Sequence, residues 1–124
     1  YRMPNINAAL GCAQLENLDR YVADKRETAA CYAEFFKGKE DITFFTEPAD
    51  CKSNYWLNAV VLKDKAAQLD FLEYTNDHGV MTRPVWELMN RLPMFEHCET
   101  DGLENTEWLA DRVVNIPSSV RLDK

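Results

Sequence analysis

Arg2 is the first side chain in the sequence whose type and position could bind an anion. It lies just before Pro4 and Asn5, where the pattern predicts a capped helix start. Backbone N–H groups and the helix dipole favour an anion at such a terminus. A guanidinium there would add charge-assisted hydrogen bonds to a phosphate or carboxylate, and a solvated surface arginine is the alternative.

A second group of candidates lies in TRPVWELMNRLPMF, residues 82–95. This stretch follows a predicted strand and sets Arg83, Trp86 and Asn90 among apolar residues. Loops that follow strands often carry functional residues, so these three are candidate ligand-binding side chains. On residue types alone, a core-packing loop with an arginine at its edge remains the favoured alternative.

The remaining catalytic inventory is small. The sequence has no G-x-G-x-x-G and no Walker loop, so it contains no glycine-rich phosphate cradle. His78 stands beside Gly79 at a predicted helix end, which favours a solvated side chain over a catalytic base. His97 and Cys98 are adjacent in an acidic loop, and adjacency does not supply the spatial contact that a nucleophilic Cys–His pair needs. No lysine lies in the apolar setting that Schiff-base chemistry needs.

The cysteines predict neither a metal site nor an oxidising compartment. They are widely spaced and form no C-x-x-C pair, so the sequence has no zinc signature. Cys12 and Cys31 lie in helical pattern among alanines, which predicts buried structural thiols. A reducing cytoplasm is the expected location.

Charge and composition limit the class of partner. The formal net charge of −7 argues against nucleic acid or an anionic membrane as the main partner. No apolar run approaches the ~18 residues of a membrane span, and we expect no export signal. A length of 124 residues with 46% hydrophobic residues predicts one folded domain.

A long helix is predicted at about 5–37. Apolar residues recur at helical spacing from Leu15 to Phe36, and Gly38 is a plausible C-cap. Such a helix would span roughly 45 Å. A compact domain of this length has a diameter of roughly 35 Å, so the helix either bends or packs its first half against protein outside the sequence. The small and apolar residues 8–13 favour packing against another element.

The later elements predict a small sheet covered by helices, in an α/β or α+β arrangement. The almost wholly apolar segment YWLNAVVL predicts a strand that is covered on both faces or lies at the sheet centre. Ala66, Leu69 and Leu72 predict one helical stripe, and Asn105 is a candidate cap for a last helix reaching residue 115. The predicted strands are 43–45, 55–62 and 80–83, and residues 85–102 are predicted irregular.

Three segments carry a family resemblance, in matching order and spacing. YRMPNINAALGCAQLENLD resembles a segment that begins G-Y-N-Y-R-M and continues N/D-I/L-x-A-A-L-G-x-x-Q-L. GVMTRPVWELMNRLPMF is similar to G-I-x-T-R-P-x-W/F-x-x-x-H-x-x-P-x-F, and NTEWLADRVVNIPSS to A-x-x-L-A-x-R-x-L-x-L-P-S. These segments are typical of DegT/DnrJ/StrS-type nucleotide-sugar aminotransferases, which are pyridoxal phosphate (PLP) enzymes of fold type I. The resemblance covers essentially the whole chain.

The resemblance implies that residues 1–124 are the C-terminal small domain of such an enzyme, including the long interdomain helix. The large PLP-binding domain, with its Schiff-base lysine, would lie upstream, so we expect the chain alone to be inactive. Tyr1 and Arg2 match the segment that reaches the cofactor phosphate of the partner subunit in the family's homodimer.

The resemblance also places Arg83 and Trp86 near the sugar-nucleotide site. Asn90 stands where many members have His, which leaves the identity of the bound sugar open. The implied activity transfers an amino group from an amino acid, glutamate in most members, through PLP to a nucleotide-linked 4-keto sugar for surface glycans.

Two other classes of function remain as alternatives. A stand-alone α/β interaction domain without catalysis would need a polar outer face on the first half of the long helix. An independent hydrolase using His97 or Cys98 would need a base or orienting residue that the sequence does not offer.

Overall fold

Four strands form one antiparallel sheet in the computed structural model, which describes residues 2–121. In chain order they are β1 (Ile42–Phe44), β2 (Asn58–Leu62), β3 (Arg83–Pro84) and β4 (Val113–Ile116). Their order across the sheet is β1-β2-β4-β3. Strands β2 and β4 are therefore the inner pair, and β3 lies at an edge, where a proline is tolerated.

Helices pack on this sheet to form an α+β domain. Within the described residues they are α1 (Asn5–Leu15), α2 (Leu18–Phe36), α3 (Lys65–Asp77) and α4 (Glu104–Ala110). Apolar side chains of α2 and α3 pack against one face of the sheet. The buried core between these layers comprises Ala29, Phe44, Val60, Leu62, Val114 and Ile116.

The helix predicted at about 5–37 is interrupted after Leu15. Asn17 lies at the junction, and its side-chain Nδ2 donates a hydrogen bond to Ala13 O at 3.0 Å. An amide side chain that binds a carbonyl of the preceding turn competes with the helical hydrogen bonds, which explains the break. Every residue of α1 is exposed.

The prediction of one helix from Asn105 to residue 115 is wrong in its second half. Helix α4 ends at Ala110, and Val113–Ile116 is the inner strand β4. β-branched side chains pack well on a pleated sheet, and Val114 is fully buried there. Asn105 lies inside α4, and Leu103 precedes the helix in a left-handed conformation with φ 48°.

Strand β2 lies at the sheet centre, which is one of the two predicted alternatives. It is shorter than predicted and begins only at Asn58, because Tyr55 has a positive φ of 47°. The inward-facing Val60 and Leu62 are buried against the helices, whereas Ala59 and Val61 are half-buried.

The predicted burial of Cys12 and Cys31 is wrong, since both thiols are exposed. Helix α1 has no covering element among the described residues, so Cys12 faces solvent. The buried side of α2 contains Ala29, which turns Cys31 away from the core.

The buried side of α3 also differs from the predicted one, which contained Ala66, Leu69 and Leu72. Ala66 and Leu69 are exposed, whereas Gln68 is fully buried. Gln68 is accommodated because its amide Nε2 donates hydrogen bonds to Ala110 O at 3.0 Å and Val113 O at 2.9 Å.

Glu47, in the loop after β1, ties that loop to α2. Arg26 Nη2 lies 2.6 Å from Glu47 Oε1, and Arg26 Nη1 lies 3.0 Å from Oε2. The backbone N–H of Ser53 also donates to Oε2. The hydrogen bond from Arg26, followed by that from Ser53, lowers the pKa of Glu47 to about 2. The ion pair between Arg26 and Glu47 therefore fixes the loop that leads into β2.

We expect Glu47→Gln to remove an acid-sensitive part of the stability. Because folding lowers the pKa of Glu47 from 4.5, its carboxylate stabilises the fold above that pH. This stabilisation is lost as the pH falls through the folded pKa. Urea midpoints measured from about pH 6 to about pH 2 should therefore fall more steeply in the unaltered chain than in E47Q.

Glu34→Gln is the matched control, because Glu34 forms only an exposed pair with Lys37 at 3.4 Å. E34Q should follow the unaltered chain. Parallel pH curves for the unaltered chain and E47Q would contradict the assignment of this acid sensitivity to Glu47.

Candidate functional site

Arg83 and Trp86 line the same cleft, at the β3 edge of the sheet. Arg83 lies in β3 opposite Asn115 of β4, and Trp86 follows β3 by two residues. This first cleft has a volume of about 720 Å³. Its other walls are formed by Lys25, Trp56, Leu57, Pro84, Val85, Asn115, Ile116, Ser118 and Ser119.

Trp86 also lines a second cleft, together with Asn90. This cleft of about 540 Å³ lies between residues 86–90 and 98–106. Asn90 is half-buried in a short 3-10 helix, Met89–Arg91. The structure thus brings Arg83 and Trp86 together at one cleft and Trp86 and Asn90 at the other. The indole of Trp86 is 75% exposed, so it can stack against a ligand in either cleft.

The guanidinium of Arg83 is available to a ligand. Its side chain is exposed, and Nη2 lies 3.4 Å from Met81 Sδ, a weak acceptor. Within residues 2–121, no carboxylate forms an ion pair with Arg83. A guanidinium in this state can bind a phosphate or carboxylate through two parallel hydrogen bonds.

Arg2 lies apart from these residues and lines neither cleft. It is exposed and precedes α1, whose N-cap residue is Pro4 rather than the predicted Asn5. Among residues 2–121, no side chain caps this helix start. Tyr1, the other predicted cofactor-binding residue, lies outside the described residues.

Lys25 is a residue of the first cleft that no local sequence pattern indicates. Its Nζ donates to Ser118 O at 2.6 Å and to Trp56 O at 3.2 Å. These carbonyls are 93 and 31 residues away in the sequence, so helical spacing around Lys25 carries no information about them.

The segment 117–121 is held along α2 and forms one wall of the first cleft. Tyr32 Oη donates to Pro117 O at 3.0 Å, and partial burial raises the pKa of Tyr32. At the far end, Arg121 N–H donates to the buried carboxylate of Asp24 at 3.0 Å. Between them, Ser118 Oγ accepts a hydrogen bond from the backbone N–H that opens β2. These contacts fix the position of this wall.

The described residues give no sign of a metal site or a membrane span. Among residues 2–121, no cluster of three or more His, Cys, Asp and Glu side chains could hold a metal ion. In the same part of the chain, no helix is both long and apolar enough to cross a bilayer.

The fold defined by this sheet and its helices is that of sugar aminotransferases. Sugar aminotransferase CalS13 from Micromonospora echinospora superimposes with a TM-score of 0.85 and 25% identity, over 100% of this chain and 33% of that protein. Helicobacter pylori PseC, an aminotransferase involved in the biosynthesis of pseudoaminic acid, gives a TM-score of 0.88 at 20% identity, over 99% of this chain and 34% of that protein.

A family model matches residues 1–124 over their whole length, so the chain belongs to the DegT/DnrJ/EryC1/StrS aminotransferase family. GDP-perosamine synthase of Escherichia coli O157:H7 is 29% identical over 120 residues, covering 95% of this chain and 32% of that protein. The chain thus spans about a third of the length of the relatives it matches. The predicted family and the predicted small sheet with packed helices are confirmed.

Of the lysines in residues 2–121, Lys25 alone lines either cleft, and the others are exposed. Lys25, the one lysine that lines the first cleft within residues 2–121, already donates to two backbone carbonyls. Lys37, Lys63 and Lys65 form ion pairs at the surface. The residues of the clefts are therefore suited to binding and orienting a ligand rather than to holding the cofactor covalently.

Proposed function

We propose that the chain is the C-terminal small domain of a PLP-dependent aminotransferase that acts on a nucleotide-linked 4-keto sugar. The observation that carries this proposal is that an exposed Trp86 shares one cleft with Arg83, which forms no ion pair within residues 2–121. Both belong to the segment that resembles the family's T-R-P-x-W sequence. The homology to a GDP-perosamine synthase supports the same substrate class.

The two side chains suit different parts of such a substrate. A diphosphate presents oxygens that the guanidinium of Arg83 can bind through charge-assisted hydrogen bonds. The indole of Trp86 can stack on a sugar or base ring. Asn90 offers both an amide donor and an amide acceptor to sugar hydroxyls.

Tyr1 and Arg2 are proposed to act at the cofactor. In a homodimer, Arg2 would bind the phosphate of PLP held by the other subunit. The uncapped N-terminus of α1 adds backbone N–H groups that favour the same anion. PLP supplies the electron sink for moving the amino group, and the covalent lysine would come from protein outside this sequence. Glutamate is the proposed amino donor, and the cytoplasm is the proposed location.

A stand-alone interaction domain is less consistent with helix α1. That alternative requires a polar outer face, but the exposed side chains of α1 include Ile6 at 76% and Leu10 at 61%. Large apolar groups along one helix are typical of a surface that another element covers.

Transfer of labelled nitrogen tests the proposed function. The full-length protein that carries this sequence should move nitrogen from labelled glutamate to a nucleotide-linked 4-keto sugar, which mass spectrometry of the product detects. GDP-, UDP- and dTDP-linked sugars should be compared, together with other amino donors. No labelled amino sugar from any combination would contradict the proposal.

The 124-residue chain on its own is expected to be inactive in the same assay. Because the cleft lysine, Lys25, already donates to two backbone carbonyls, adding PLP should produce no new absorbance band that survives removal of free cofactor. Reduction with borohydride should leave the mass of the chain unchanged. A reduced PLP adduct on a single lysine would show that this chain binds the cofactor covalently.

A further inference from the structure

Lys25 joins two walls of the first cleft, which the hydrogen bond from Asn58 N–H to Ser118 Oγ also connects at the start of β2. Trp56 belongs to the loop before β2, and Ser118 to the segment after β4. The ammonium of Lys25 reaches both carbonyls, at 3.2 Å and 2.6 Å, from a half-buried position on α2. Lys25, Trp56 and Ser118 all line the cleft that contains Arg83.

The ammonium is suited to fixing the distance between these walls. Hydrogen bonds from a charged donor to a carbonyl are stronger than those between neutral groups, and one ammonium can donate to several acceptors at once. The loop at Trp56 is held before and after this residue, because Arg26 Nη1 donates to Ser53 O and Asn58 N–H donates to Ser118 Oγ. Trp56 itself donates its backbone N–H to Asn54 Oδ1 in an exposed turn. Between these two points, Lys25 supplies the hydrogen bond from α2 to the carbonyl of Trp56.

The fold itself does not depend on Lys25. Strands β2 and β4 are paired through their own backbone, from Asn58 opposite Ile116 to Val61 opposite Val113. Lys25 is not part of the buried core. Loss of its ammonium should therefore change the shape of the cleft and leave the sheet intact.

We propose that Lys25 is a positioning residue for the nucleotide-sugar substrate. By holding the carbonyls of Trp56 and Ser118, it keeps one side of the first cleft at the spacing from Arg83 that substrate binding needs. This role rests on the proposed function, because it assigns the first cleft to the nucleotide sugar. Its effect is on substrate affinity rather than on the transfer of the amino group.

Steady-state kinetics of the full-length protein test this role, with Lys25→Met and Lys25→Arg as the variants. Methionine keeps the aliphatic stem and removes every donor, whereas arginine keeps the charge and the donors. For K25M we expect KM for the nucleotide-linked keto sugar to rise about tenfold, with kcat changed less than about twofold. K25R should recover most of the lost affinity. The half-reaction with the amino donor should proceed at the unaltered rate in both variants.

Lys37→Met is the matched control, because Lys37 directly follows the same helix and, within residues 2–121, forms an ion pair only with the exposed Glu34. It should leave KM unchanged. An unaltered KM in K25M, or an equal loss in both half-reactions, would overturn the role of Lys25 while leaving the proposed function in place. An unmodified protein that aminates no nucleotide-linked sugar would overturn both.

Discussion

Arg83→Ala in the full-length protein is expected to lower kcat/KM for the nucleotide-linked keto sugar by about 100-fold. Removing a charged hydrogen-bonding partner costs about 1.5–3 kcal/mol, and each 1.4 kcal/mol corresponds to a factor of ten. Arg83 is exposed and forms no ion pair within residues 2–121, so its removal should not disturb the sheet. The loss should appear in substrate kinetics while the thermal unfolding midpoint stays constant.

Two further variants sharpen the Arg83 experiment. Arg83→Lys keeps the charge but loses the planar fork, and it should recover only part of the activity. Arg20→Ala removes a guanidinium on α2 that lies over the ring of Tyr21, away from both clefts, and it should have no effect. If R83A and R20A gave the same kcat/KM, Arg83 would not bind the substrate.

Gln68→Leu is expected to destabilise the domain by about 2–4 kcal/mol, because it leaves two carbonyls without donors at a buried position. The side chain of Gln68 is fully buried and links α3 to the turn between α4 and β4. Leucine has a similar size, so lost hydrogen bonds rather than a cavity would account for the change. Urea unfolding of the 124-residue chain, monitored by circular dichroism, measures it.

Gln68→Glu provides a sharper form of the same test. A carboxylate there would place an acceptor against the carbonyls of Ala110 and Val113, and its burial disfavours the charged form. The protonated form of the carboxyl group introduced by Q68E can donate one hydrogen bond, so the deficit in stability should shrink as the pH is lowered from about 7 to about 5. Gln14→Glu, on the exposed helix α1, is the control. If the loss of stability in Q68E did not depend on pH, the proposed role of the Gln68 amide as a buried hydrogen-bond donor would be contradicted.

The sequence was sufficient to predict elements whose signals are local. Helix α3, for example, was predicted from local helical spacing, and the structure adds its cap, Asp64, which accepts a hydrogen bond from Ala67 N–H at 2.8 Å. Strand β4 was mistaken for the end of a helix because only Asp111 and Arg112 separate it from α4. Only pairing with β2, more than fifty residues earlier in the chain, distinguishes the two conformations.

In the candidate site, too, residues within one sequence segment could be predicted, whereas contacts between distant segments could not. Arg83, Trp86 and Asn90 share one segment, so their spacing and the family resemblance were enough to select them as candidates. The sequence did not indicate Lys25, because it donates to backbone carbonyls. Every residue type has such a carbonyl, so the residue types at 56 and 118 do not reveal the contact. A cleft formed by several loops becomes visible only when the sheet brings them together.

The most direct test is a structure of the full-length protein with a nucleotide-linked sugar bound. The diphosphate should lie within hydrogen-bonding distance of Arg83, with the indole of Trp86 packed against the ligand. Lys25 should still bridge Trp56 and Ser118 in that complex. A ligand bound elsewhere, with Arg83 and Trp86 making no contact to it, would contradict the assignment of the first cleft to the substrate.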